Sequence, residues 1–185
     1  AGELIKKLNI EFDVCFTSEL KRAVNSLNII LKVLNKKNIK IIKAWELNER
    51  HYGNLTSLNK DEIIKKHGSK QVHIWRRSFD IAPPPMDLNH PYKNKIYTNT
   101  LKNRTPNGES LKDTYNRVIP YYESKIEPFL SANKNVLVAF HGNTCRSLLK
   151  KIFNISEKKI VEFEVPTGNP LLIKLKQLQV KEYHY

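Results

Sequence analysis

The segment Val136-Leu137-Val138-Ala139-Phe140-His141-Gly142-Asn143 constrains this chain more than any other. A short apolar run stops abruptly at His-Gly-Asn, and an amphipathic run from Thr144 to Phe153 follows at once. That is the pattern of a buried strand feeding a helix. The unpaired N–H groups at the start of such a helix, and the positive end of its dipole, favour an anion, typically a phosphate. His141 stands at this junction, so its partners decide what the chain does.

The same alternation recurs along the chain. Asp13 to Thr17 reads as a strand, with Ser18 as N-cap of a helix that places Leu20, Ala23, Val24, Leu27, Ile30, Leu31 and Leu34 at helical spacing. Ile39 to Ala44 reads as a second strand and Trp45 to Gly53 as a loop. Helices are expected from Asn59 to His67, stopped by Gly68, and from Ser69 to Phe79. Residues Ile81 to Glu109 carry Pro83, Pro84, Pro85, Pro91 and Pro106 with little periodicity, as lids and binding loops do. A long helix from Ser110 to about Leu130 follows, kinked at Pro120. Glu162 to Val165 and Leu171 to Leu175 read as closing strands around the turn Pro166-Thr167-Gly168-Asn169-Pro170. Strands alternating with helices imply an α/β fold, a three-layer α/β/α sandwich on a mostly parallel central sheet. Without repeats or a low-complexity linker, residues 1–185 are expected to form a single domain.

Ligands of such sheets bind outside the carboxyl ends of the strands. Three strand ends therefore converge on one crevice: Thr17-Ser18 leading to Arg22, Glu46 to Tyr52, and His141 to Asn143. The formal charge of +14 is mostly lysine spread along a chain rich in Asn and Ile, without the aromatic-basic interleaving of single-strand binders. Acidic small molecules are the better match, and no nucleic-acid partner is expected. No apolar run approaches membrane-spanning length, and the start Ala1-Gly2-Glu3-Leu4 has no signal-peptide pattern, so neither membrane nor secretion is expected. Cys15 and Cys145 lack metal or redox spacing and read as unpaired thiols of a cytoplasmic protein.

Arg22 lies one helical turn past the first strand end, where its planar fork can reach two phosphate oxygens; alone, it reads equally well as a solvated helix charge. The chain has seven arginines, and Arg22, Arg50, Arg76 and Arg77 fall in the segments named here, which points to a need for the fork. Glu49 has the chemistry of a general acid or base, although a salt bridge with Arg50 is the ordinary reading of that pair. Tyr52 can donate to a phosphate or carboxylate, and Trp75-Arg76-Arg77 can clamp a second anion or simply end a helix. His141 has three options: general base, metal ligand, or donor to a phosphoryl group. No further metal ligands stand at suitable spacing, and no nucleophile-elbow serine is present.

Together, Thr17-Ser18-Glu19-Leu20-Lys21-Arg22-Ala23, Leu47-Asn48-Glu49-Arg50-His51-Tyr52-Gly53, Leu58-Asn59-Lys60, Trp75-Arg76-Arg77, Arg117-Val118-Ile119-Pro120-Tyr121, His141-Gly142-Asn143 and Pro166-Thr167-Gly168 closely resemble the cofactor-dependent phosphoglycerate mutases of the histidine phosphatase superfamily. The motifs follow the family's order over nearly the whole chain. The resemblance implies a cytoplasmic isomerase of glycolysis and gluconeogenesis that interconverts 3- and 2-phosphoglycerate through a phosphohistidine. It implies priming by 2,3-bisphosphoglycerate, no metal, and a homodimer or homotetramer. It assigns Glu49 to proton exchange at the substrate hydroxyl, and His141 and Arg22 to charge on the transferring phosphoryl group. Arg50, His51, Tyr52, Lys60, Arg76, Arg77, Gly142 and Asn143 would line the substrate site with Arg22 and Glu49. The same residues would serve a bisphosphoglycerate synthase or phosphatase, a histidine phosphatase, or a phosphate-binding pseudoenzyme.

One departure is large. The family's nucleophilic histidine lies in an Arg-His-Gly motif on the first strand, and these residues contain no Arg-His-Gly. Ala1 aligns with the end of the helix after that strand, and the family's C-terminal tail has no counterpart. A partial sequence, a degenerate paralogue and a domain completed by another chain each account for this. A partial sequence is the expectation, because losing the nucleophile's strand leaves two neighbouring sheet edges unpaired.

Overall fold

The computed structural model describes residues 1–93 and 106–184, so the middle of the proline-rich excursion lies outside the described residues. Three strands form a parallel sheet: β1 (Val14–Ser18), β2 (Lys40–Ala44) and β3 (Val136–Ala139), in the order β2-β1-β3. β1 is central and buried at every position. Its side chains alternate between two faces, as a strand's must. Val14 and Phe16 pack with Val118, Ile119, Tyr122, Ile126 and Leu148. Cys15 packs on the other side with Leu27 and Leu31. The partners belong to opposite faces: α2 (Lys21–Val33) on one, and α5 (Leu111–Tyr121), the π turn after it and α7 (Gly142–Ile152) on the other. That is the three-layer α/β/α arrangement the sequence implies. A short helix α1 (Gly2–Lys7) lies against α2, where a Cβ at Gly2 would come within 3.0 Å of Val33 Cβ.

Several boundaries differ from the sequence reading, each for a local reason. Ser18 is not the cap of α2; it stays in the strand, and the extended Leu20 precedes the helix. α7 opens at Gly142, earlier than Thr144, with His141 in the capping position. The expected long helix is α5, a π turn over Tyr122–Ile126 and α6 (Glu127–Ser131). Pro120 cannot donate to the turn before it, and the Ser124 hydroxyl donates to the Pro120 carbonyl at 2.7 Å. Ser110 and Asp113 close a capping box at the start of α5. α3 (Lys60–His67) and α4 (Ser69–Arg77) are separated by Gly68, whose φ is +80°.

The closing strands need a larger correction. Glu162 to Val165 forms no strand; it follows α8 (Glu157–Ile160), and Val161 and Phe163 pack against Phe79, Leu111, Leu149 and Ile160. β4 (Leu172–Lys176) pairs instead with β5 (Gln179–His184), antiparallel and separate from the parallel sheet. Gln177 and Leu178 join them with φ of +50° and +60°. Both central turn residues at positive φ suit the right-handed twist of a hairpin. Neither residue type announces such a turn, and polar, mostly exposed β5 carries no strand pattern. Among the described residues, β3 is an outer strand of the parallel sheet.

Candidate active site

The parallel register sets the carboxyl ends of the strands level: Thr17 lies opposite Ala139, and Ser18 opposite Ala44. The Thr17 hydroxyl donates to the Ala139 carbonyl at 2.8 Å, tying β1 to β3 at that end. His141 leaves β3 just beyond and is 8% exposed. Its ring lies between one group from β1 and one from α2. Ser18 Oγ is 2.8 Å from Nε2, and Arg22 Nε donates to Nδ1 at 3.1 Å. Burial, and then the charges of Arg22 and Arg117, push the imidazole down to about 3. His141 is therefore neutral at physiological pH.

The loop after β2 brings Glu49 to the same place. Glu49 Oε1 accepts from the Arg50 N–H at 2.8 Å, the Asn143 N–H at 3.2 Å and Asn143 Nδ2 at 3.1 Å. No hydrogen bond among the described residues engages Oε2. The ion pair of Glu49 with Arg50 that the sequence allowed does not form; the contact is through the backbone. Asn143 Nδ2 also donates to Tyr52 Oη at 2.9 Å, and Tyr52's ring carries the Arg50 guanidinium 4.5 Å and the Arg76 guanidinium 5.2 Å from its centroid.

A buried clamp holds this loop. Arg117 of α5 donates to Glu109 through Nε at 2.6 Å and Nη2 at 2.9 Å. It also donates to the carbonyls of Glu46 at 2.6 Å, Asn48 at 3.0 Å and Glu49 at 3.3 Å. Glu109 in turn accepts the His51 N–H at 2.8 Å. Gly53 must be glycine: its φ is +54°, and a Cβ would meet the Pro84 carbonyl oxygen at 2.1 Å.

Arg50, Arg76, Arg77, Arg146 and Asn143 line one cavity with Ser78, Leu111 and Val161. Arg50 is 2% exposed, and its Nε has no hydrogen-bond partner among the described residues. Arg77 faces Glu164 at 3.3 Å. Arg146 donates to the Phe163 carbonyl at 2.9 Å and to Asn143 Oδ1 at 3.4 Å. Burial, and then the neighbouring charge of Arg77, pull its guanidinium below the ordinary value. Crowded cations with an idle buried N–H form a donor set that fits a multiply charged anion such as a bisphosphate.

Of the residues singled out in the sequence, Arg22, Glu49, Arg50, Tyr52, Arg76, Arg77, Gly142, Asn143 and His141 gather at this end of the sheet. His51 is placed differently: its Nδ1 accepts the Gly53 N–H at 3.0 Å, inside the loop that the Arg117 clamp holds. Burial lowers its pKa first of all. Lys60 is exposed at the start of α3, and among the described residues no hydrogen bond or ion pair joins it to the others. Sequence reasoning missed Ser18 as a partner of His141, the Arg117–Glu109 clamp, and Arg146. Scarcity of arginine was the usable signal, because Arg117 and Arg146 belong with the four already singled out. Among the described residues, no group of three or more His, Cys, Asp or Glu is arranged to hold a metal ion, and no helix is long and apolar enough to cross a membrane.

Comparison with known proteins adds four findings. The profile of the histidine phosphatase superfamily (branch 1) matches residues 1–180. A 2,3-bisphosphoglycerate-dependent phosphoglycerate mutase of Xylella fastidiosa is 48% identical over 189 residues, covering 100% of this chain and 76% of the relative. The protein of the same name from Haemophilus ducreyi is 47% identical over 178 residues, covering 95% and 78%. Among solved structures, a putative alpha-ribazole-5'-P phosphatase from Escherichia coli superposes with a TM-score of 0.67 at 18% identity, over 97% of this chain and 77% of that one. This last likeness concerns the fold.

Proposed function

Because the chain belongs to the histidine phosphatase superfamily, branch 1, we propose that it carries the phosphoryl-transfer site of a 2,3-bisphosphoglycerate-dependent phosphoglycerate mutase, interconverting 3-phosphoglycerate and 2-phosphoglycerate. The observation that carries this reading is the setting of Glu49. One of its oxygens is held by three N–H groups, and the other is left to exchange a proton beside a cavity lined by four arginines. A substrate with a hydroxyl between two anionic ends needs that equipment.

In this proposal Glu49 Oε2 takes the proton of the hydroxyl being phosphorylated and returns one to the oxygen being released. Arg22 and His141 stabilise the charge on the transferring phosphoryl group. Arg50, Arg76 and Arg77, with Tyr52 Oη and the Gly142 and Asn143 N–H groups, bind and orient the substrate. His51 supports their loop, and Lys60 reaches the substrate from the start of α3. Phosphoryl transfer rests chiefly on positioning and electrostatic stabilisation, which a preorganised cationic pocket supplies. When bound at the arginines, 2,3-bisphosphoglycerate supplies the priming phosphoryl group. The reading requires a phosphohistidine on the histidine of an Arg-His-Gly motif, which residues 1–185 do not contain, and it requires no metal. A cytoplasmic homodimer or homotetramer working in glycolysis and gluconeogenesis completes the proposal.

The test is a coupled mutase assay of the full-length protein with 2,3-bisphosphoglycerate. Turnover is expected, and a flat trace from a folded sample would refute the reading. A dominant release of inorganic phosphate would mark a phosphatase. Binding of phosphoglycerate without phosphohistidine would mark a pseudoenzyme.

A further inference from the structure

Ser18 stands at the end of central β1, 0% exposed, and its hydroxyl does not cap the helix that follows. Ser18 Oγ accepts the Leu20 N–H at 3.2 Å and lies 2.8 Å from His141 Nε2. The direction of that second bond follows from the other side of the ring. Arg22 Nε carries a hydrogen that it does not give up, so His141 Nδ1, 3.1 Å away, must be an acceptor. A neutral imidazole then has its hydrogen on Nε2, and Ser18 Oγ accepts it. Any proton that His141 gains must enter at Nδ1, the nitrogen beside the Arg22 guanidinium.

We propose that Ser18 is a positioning residue for phosphoryl transfer: it anchors His141 through Nε2–H, so that Nδ1, accepting from Arg22 Nε, holds the guanidinium in place for the phosphoryl group. This rests on the mutase reading of the site. The anchor is rigid because Ser18 is in the hydrogen-bonded central strand and Thr17 beside it is tied to Ala139. Without the acceptor, a buried ring N–H loses its partner, and the ring is free to turn or change tautomer.

The test is nuclear magnetic resonance of the full-length protein carrying ¹⁵N-histidine, read beside the mutase assay. In the wild type, His141 should show a protonated, exchange-protected Nε2 and an unprotonated Nδ1. Ser18→Ala should abolish that protected signal and lower kcat by about tenfold, the equivalent of ~1.4 kcal/mol. The KM for phosphoglycerate should stay within about twofold, because binding is left to the arginines. Ser18→Thr should restore both signal and rate. Ser18→Cys, which keeps the volume and weakens the acceptor, replaces the alanine variant if that fails to fold. A wild-type His141 protonated on Nδ1, or a Ser18→Ala protein with the signal and rate intact, would overturn the proposal. Loss of the mutase reading is distinguishable, since a protein without turnover that still shows the protected Nε2–H keeps the anchor.

Discussion

Replacing Arg117 by methionine should destabilise the fold and disable the site together. The side chain of Arg117 is 10% exposed and that of its partner Glu109 is 3% exposed. Methionine keeps much of the aliphatic bulk, but it strands the Glu109 carboxylate and leaves the Glu46, Asn48 and Glu49 carbonyls without their guanidinium donor. Removing one partner of a buried pair costs about 3–5 kcal/mol. That is a large part of the roughly 5–15 kcal/mol of a typical domain. With a urea dependence of about 2 kcal/mol per molar, the midpoint should fall by about 1.5–2.5 M. Turnover should fall as well, because Glu49 and Arg50 ride on the freed loop. Adding Glu109→Gln to Arg117→Met should recover more than about 1 kcal/mol, since the stranded charge is then gone. Arg117→Lys should be intermediate, because an ammonium cannot copy the planar fork. A midpoint shift below about 0.5 M for Arg117→Met would match an exposed ion pair, and the idea of a buried clamp would fail.

Other expectations follow from single residues. Glu49→Gln should lower kcat by about 10²–10⁴-fold with little change in KM, as loss of a general acid–base group does; comparable losses in binding would remove Glu49 from that role. His141 is held near 3 when folded against an unfolded value of 6.5, so the unfolded state binds the extra proton between them. Stability is then lost as pH falls below about 6.5 and continues to be lost toward about 3; His51, also lowered, acts in the same direction. Between pH 7.5 and 5.5 the urea midpoint should therefore drop more for the wild type than for His141→Asn, and parallel drops would contradict this. Gly53→Ala should cost about 1–2 kcal/mol for the left-handed backbone, plus about 1–3 kcal/mol for displacing the Pro84 carbonyl; a thermal midpoint matching the wild type would show that this approach is not fixed. Burial pushes the thiols of Cys15 and Cys145 up to about 11 and about 12. Both should resist iodoacetamide in the native protein and react in urea, and rapid native labelling of Cys145 would speak against that burial.

The parts of the site legible in the sequence were those written into contiguous motifs. The end of β3 at His141 announces itself because a buried parallel strand is a plain apolar run and a helix starts at once. The Glu49 to Tyr52 loop stands out because acid, base and phenol rarely crowd without cause. What stayed hidden were partners far apart in the chain. Ser18 reads as a helix cap in one dimension, and only pairing of β1 with β3 brings it to a histidine 123 positions away. Glu109 ends a proline-rich stretch and looks like one more surface acid until α5 aims Arg117 at it. Arg146 sits in an ordinary amphipathic helix, where position alone cannot separate a solvated charge from one turned into a cavity. The hairpin of β4 and β5 was missed because its positive-φ turn uses Gln and Leu, and its second strand faces water.

By itself, the sequence determined the layered α/β plan, the crevice at the strand ends and the class of ligand. These follow from hydrophobic periodicity and from residue types whose chemistry does not depend on their surroundings. Tertiary structure alone decided which groups meet at the candidate site. Burial favours the neutral form of His141, a serine from the neighbouring strand and an arginine from the next helix determine which ring nitrogen carries the hydrogen, and a buried ion pair holds the loop that carries Glu49. Hydrogen bonds and charges act over a few ångströms of space, and chain order records those distances only where neighbours in sequence are also neighbours in the fold.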